Sequence, residues 1–147
     1  MIAVKADLVR LPERFCFEDY RIYVMPAARD AFVGMAGAAL KDSVHLIVDS
    51  GYRSGEFQEK IIKRRMAAGE DFEAVARFVA PPGYSQHETG CAFDLVPSEA
   101  RFAHTETYAW LSEHAAEYGF VETYPEDSTH TRYWESWHWY YRGEQGQ

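Results

Sequence analysis

The chain has 147 residues, one domain's worth, and a domain of that size buries about 70% of the surface its unfolded chain exposes, so it needs no disulfides to fold. Hydrophobic residues make up 47% and charged residues 26%, which excludes disorder as the dominant state, and no stretch approaches the roughly 18 apolar residues of a spanning helix. With 15 basic against 23 acidic residues and a formal net charge of -8, nucleic acid is a poor partner.

Residues 1–10 lack the continuous apolar stretch of a signal peptide. The expectation is a cytoplasmic protein, or one exported with a leader outside this sequence. After an irregular start, residues 29–41 space Phe32, Met35, Ala36, Ala39 and Leu40 at helical intervals. Residues 44–48 are short and β-rich, and Asp49-Ser50-Gly51 follows, which predicts a buried strand ending in a turn. Ser54 stands where an N-cap belongs, and Phe57, Ile61 and Ile62 form a helix face up to about residue 68. The only basic run, Lys63-Arg64-Arg65, reads as the solvated side of that helix. A short helix over 72–78 ends before Pro81-Pro82-Gly83. Residues 91–96 read as a strand. Residues 105–118 read as a helix with Ala109, Trp110 and Ala116 inward and Gly119 as its C-cap. The last strands cover 120–124 and 137–142. Strands and helices without regular βαβ alternation predict an α+β fold, with no repeat or linker dividing 1–147. Cys16 and Cys91 form no C-x-x-C pair and cannot build a disulfide framework.

Two of the six histidines sit beside carboxylates at informative spacing. The first segment runs from Ser85 and Gln86 through His87, Gly90 and Cys91 to Asp94. It begins in a Pro/Gly loop and ends on a strand, with Gly90 letting the chain turn so that His87 approaches Asp94. The second is Glu135-Ser136-Trp137-His138, inside an aromatic run of six rings in nine residues over 133–141. An aromatic strand is ordinary, but a Glu and a His within it need a reason, because burying either one unpaired costs stability. His87, Asp94 and His138 make an N, N, O donor set that suits zinc with a fourth position left open. Glu135 is then the natural general base, near the metal-bound water but not a ligand. On an ideal strand Glu135 and His138 would face opposite ways, so the chain must bend just after Glu135. His45, His104, His114 and His130 carry no partner pattern and are assigned to surface or core duty.

Taken together, Ser-x-His-x-x-Gly-x-Ala-x-Asp at 85–94, Glu-x-Trp-His at 135–138 and Ser50-Gly51-Tyr52-Arg53-Ser54 with Gln58 resemble the zinc D-alanyl-D-alanine carboxypeptidases of the VanY type, within the Hedgehog/DD-peptidase fold. The match spans about 44–142. It implies a small, mainly antiparallel sheet flanked by helices and one zinc per chain. His87, Asp94 and His138 would be the ligands and Glu135 the catalytic base. Arg53, with Gln58 and Ser85, would hold the end of a peptidoglycan stem peptide. A guanidinium suits that task, since its planar fork matches a carboxylate bidentately. Gln86 stands where many relatives have Glu, and Cys91 fills a variable hydrophobic position. Neither is expected to touch a ligand, so both are expected to be neutral. Residues 1–40 match no motif.

The same donor set serves other chemistry. A non-haem iron oxygenase uses two histidines and a carboxylate, and a zinc module could bind cell-wall peptides without cleaving them. Glu135 argues against both, because neither needs a positioned base. Within the family, an L,D-carboxypeptidase, a D,D-dipeptidase and an L-Ala-D-Glu endopeptidase would share this metal core. The Pro81-Pro82-Gly83-Tyr84 approach to the first motif looks more like the carboxypeptidase branch, and a D,D-carboxypeptidase is the expectation.

Overall fold

The computed structural model describes residues 2–3, 5–125 and 134–143; His130 and Tyr133 lie outside them. The elements in chain order are β1 (Val9–Arg10), β2 (Tyr23–Val24), α1 (Pro26–Lys41), β3 (Val48–Ser50), α2 (Gly55–Ala67), α3 (Phe72–Ala76), β4 (Ala92–Leu95), α4 (Glu106–His114), β5 (Phe120–Glu122) and β6 (His138–Tyr141). Strands β3, β4, β6 and β5 form one antiparallel sheet in that order, and β1 pairs with β2 in a separate antiparallel pair. The α+β expectation with a small antiparallel sheet holds.

Strand alternation divides the sheet into a core face and a site face. Along β4, Phe93 and Leu95 are fully buried in the hydrophobic core. Phe32 of α1 stacks on Phe93 with ring centroids 4.8 Å apart, and Phe120 of β5 meets both edge-on. Asp94, between Phe93 and Leu95, points the other way. In the β4–β6 register Phe93 stands opposite Trp139 and Asp94 opposite His138. Directly opposed residues share a face, so one pairing seats an aromatic pair in the core and a titratable pair on the far side.

Several elements differ from expectation. The strand predicted over 44–48 begins only at Val48: Val44 and Leu46 are buried but lie outside the ladder, and Ile47 joins its edge through its carbonyl, which accepts from the Val96 N–H at 2.9 Å. The start of the chain is more regular than expected. The β1–β2 pair brings Leu11, Ile22 and Val24 into the core. The helix predicted over 105–118 is α4 followed by a 3-10 turn, Ala115–Tyr118, and it ends at Gly119 with φ 84°. Its inward residues are Trp110, Leu111 and Ala115, whereas Ala109 and Ala116 are exposed. Leu40 and Phe57 are also exposed, unlike the other residues of their predicted faces.

Candidate active site

Three loops and one strand pair assemble the site. The turn after β3 supplies the first anchor. A Cβ at Gly51 would lie 2.6 Å from Ile22 Cγ2 and 2.9 Å from the Tyr23 carbonyl oxygen, so only glycine lets the turn press against β2. From there the Gly51 carbonyl reaches His87 Nδ1 at 2.7 Å, and the Arg53 N–H donates to the His87 carbonyl at 3.1 Å. His87 itself sits in a 3-10 turn, Gln86–Thr89, capped by Ser85, whose hydroxyl accepts from the His87 N–H. The buried Glu88 carboxylate returns to the Gly83 and Ser85 N–H groups at 2.7 and 3.2 Å and ties down the Pro/Gly loop. Gly90, at φ 76°, ends the turn and sends the chain into β4.

The required bend after Glu135 is present: the His138 N–H donates to the Glu135 carbonyl at 3.1 Å, and β6 starts only at His138. Glu135 and His138 therefore lie on the same side, with Glu135 Oε1 4.0 Å from His138 Nδ1.

Asp94 stands between the two imidazoles. Its Oδ2 is 3.2 Å from His87 Nε2 and its Oδ1 is 3.0 Å from His138 Nδ1. One donor atom from each of the three residues lies within 4.8 Å of the others, and all three residues are buried. Burial works against a charged Asp94, but His87, and the hydrogen bond from His138, outweigh it and hold the carboxyl well below the usual carboxylate range. Burial lowers the pKa of His138, against the pull of Asp94. An ionised carboxylate and a neutral imidazole are the forms in which these groups bind a metal.

The outer atoms decide which nitrogens are free. His87 Nδ1 meets only a carbonyl, so it carries the proton and Nε2 is bare. His138 Nε2 lies 2.9 Å from Gln86 Oε1, which also accepts from the Thr123 hydroxyl at 2.8 Å. Acceptors therefore stand at both nitrogens of His138, Gln86 Oε1 at Nε2 and Asp94 Oδ1 at Nδ1; a cation bound at Nδ1 would leave the proton on Nε2, where Gln86 accepts it. Two imidazole nitrogens and a carboxylate oxygen therefore converge on one point. Two neutral imidazoles and a carboxylate are a donor set that suits a divalent cation, which would stand where the proton shared by Asp94 and His138 now lies.

Gln86 corrects an expectation. It touches a proposed ligand after all, and no contact of Cys91 with one is seen. Nothing in the local sequence marks Gln86 for this contact, because it links residues 52 positions apart. The same holds for Tyr124, whose ring lies 5.2 Å from that of His138. Arg53, Gln58 and Ser85 line one cavity of about 250 Å³ with the three central residues and Glu135. Gln58 is buried, its Nε2 donates to the Ala80 carbonyl at 3.0 Å, and its Oε1 has no partner among the described residues. His45 and His104 are exposed elsewhere, and His114 pairs with Glu117 at the surface.

Two imidazoles and a carboxylate around one point, with a second carboxylate beside the set, make a polar cleft whose centre could hold a single metal ion. The chain belongs to the VanY family, described as D-alanyl-D-alanine carboxypeptidase, whose family model matches residues 21–144. It is 31% identical to a D-alanyl-D-alanine carboxypeptidase of Enterococcus faecium over 96% of this chain and 46% of that protein. The chain thus spans about half the length of that curated relative. Among solved structures it resembles the LD-carboxypeptidase LdcB, with a TM-score of 0.84 and 32% identity over 96% of this chain and 70% of the other. It also resembles a variant of the vancomycin-resistance D,D-pentapeptidase VanY in complex with Zn(II), with a TM-score of 0.71 and 29% identity over 92% of this chain and 84% of the other. Among the described residues no helix is long and apolar enough to cross a membrane.

Proposed function

We propose that this domain is a zinc peptidase that releases a C-terminal D-alanine from peptidoglycan stem peptides, a D,D-carboxypeptidase holding one zinc per chain. The observation that carries the reading is the placement of Glu135: buried, 4.0 Å from a ligand histidine, and outside the His87–Asp94–His138 set. A centre that only bound a metal or a peptide would gain nothing from a buried carboxylate held there.

His87, Asp94 and His138 would hold the zinc, with His87 Nε2, an Asp94 oxygen and His138 Nδ1 as the donor atoms that face one another. When bound, zinc brings the pKa of a water to about 7 and polarises the scissile carbonyl. The Glu135 carboxylate would accept a proton from the attacking water and pass it to the departing amine. Arg53 pairs with the terminal carboxylate of the substrate, the feature that distinguishes an exopeptidase substrate from an internal bond. Ser85 and the unpartnered Gln58 Oε1 offer polar contacts to the same peptide end. The small size of this cavity supports release of one residue at a time.

An L,D-carboxypeptidase is the second reading, supported by the likeness to LdcB. Zinc-loaded protein incubated with di-, tri-, tetra- and pentapeptide stems, with products identified by mass, separates the two. Loss of one D-alanine from the pentapeptide alone is the expected result. Loss of D-alanine from the tetrapeptide alone supports the L,D reading, and a cut nearer the L-alanine end overturns both.

A further inference from the structure

A second groove opens from the metal cavity. It has a volume of about 840 Å³ and shares Arg53, Asp94 and Ser98 with the smaller cavity. A carboxypeptidase needs room for one released residue on one side of the metal and for the rest of the chain on the other. By size, the groove is the side for the remaining chain.

Its charge is unlike that of the molecule. Lys5, Arg21, Arg53 and Arg64 line it, against Asp49 and Asp94. Asp94 is committed between the two histidines. Asp49 accepts a hydrogen bond from the Ser98 hydroxyl at 2.6 Å. Lys5, Arg21 and Arg64 are exposed and make no ion pair among the described residues. In a chain of net charge -8, a groove left positive beside the reacting centre is not a by-product of composition. The rings of Tyr20 and Phe57, both largely exposed, add apolar surface to its walls. An extended peptide with a carboxylate upstream of the scissile bond is complementary to such a groove, and attraction between opposite charges would also speed its arrival.

We infer that Arg21 and Arg64 bind an anionic side chain of the substrate on the acyl side of the scissile bond, so that peptides carrying a carboxylate there are preferred over the same peptides carrying an amide. The inference rests on reading the cavity as a peptidase centre.

Two acetylated peptides ending in D-Ala-D-Ala, differing only by Glu or Gln upstream of the scissile bond, isolate the charge. Binding is measured by calorimetry on zinc-loaded Glu135→Gln protein, so that it does not depend on turnover. The Glu peptide should bind about 5–20-fold more tightly at low ionic strength, and the gap should close towards about 0.5 M salt. Arg21→Gln combined with Arg64→Gln should erase the gap. Equal affinities at low salt would overturn the inference, as would a gap that survives the double substitution, since the carboxylate would then be held elsewhere. Turnover of both peptides by wild-type protein judges the peptidase reading separately: no released D-alanine sinks that reading, while the binding gap still decides the groove. Failure of both peptides to bind overturns both.

Discussion

In the proposed zinc site, Gln86 would set which nitrogen of His138 faces the metal. Its amide oxygen lies at Nε2 and would hold the proton there, leaving Nδ1, beside Asp94, for the ion. Partners of this kind fix the tautomer and orientation of a ligand, and losing one costs about 10–100-fold in metal affinity. Gln86→Leu should therefore weaken zinc binding by about that factor in competition with a chromophoric chelator, while Gln86→Glu, which keeps an acceptor, should bind at least as well as wild type. Unchanged affinity in Gln86→Leu would contradict the assignment. Arg53 makes the second prediction at this scale. Truncating one partner of a hydrogen-bonded charge pair in a partly dehydrated pocket costs about 2–5 kcal/mol, which is roughly 30-fold to several thousand-fold in kcat/KM. Wild-type protein should discriminate by a similar factor against a C-terminally amidated peptide, and Arg53→Lys should recover little, because a point charge cannot supply two parallel hydrogen bonds. Equal rates on acid and amide would favour an endopeptidase. Donor residues such as His87, Asp94 and His138 were legible because their chemistry and local spacing appear in the sequence. The role of Gln86 was not, because an amide carries no chemical signature until the fold brings a distant ring to it.

At the scale of elements, the β4–β6 register and the turn after β3 position the site. Gly51 is the tight point: an added Cβ would meet the Tyr23 carbonyl oxygen at 2.9 Å, and backbone cannot swing aside as a flexible side chain can. Gly51→Ala should lower the unfolding free energy of the metal-free protein by about 1–3 kcal/mol, as overpacking does. It should also weaken zinc binding, because the Gly51 carbonyl holds His87. Denaturant unfolding and a zinc titration check the two effects, and a fully stable variant with wild-type affinity would contradict the packing argument. Helix α2 was legible in detail: Ser54 caps it through the Phe57 N–H at 3.1 Å, as the N-cap signature requires. The β1–β2 pair was missed because each strand is only two residues long, too short for alternation to register. The inward face of α4 was misphased by one residue, since Ala109, Ala115 and Ala116 look alike and a small apolar side chain says little about which way it points.

For the whole molecule, the hydrophobic core and the proposed metal site share β4, so binding of the ion would be linked to folding. A ligand that binds only the folded state stabilises it by about 2.7 kcal/mol at a hundredfold excess over Kd, which is about 5–10 °C in Tm for a chain of this length. Zinc should raise the thermal midpoint by that order and a chelator should reverse it; an unchanged midpoint would mean that the cluster does not bind the ion in the folded state. Residues 1–40, which match no sequence motif, still contribute Lys5 and Arg21 to the larger groove and the packing surface under Gly51. Their contribution arises from placement, and single residues scattered over a segment leave no spacing to read. The central claim is that Glu135 acts as a base beside the metal and not as one of its ligands. Glu135→Ala measures it most directly, by zinc content per chain together with D-alanine release from a stem pentapeptide. The account predicts one zinc retained and turnover lower by about 10² or more. Release near the wild-type rate, or loss of the zinc with the side chain, would contradict it.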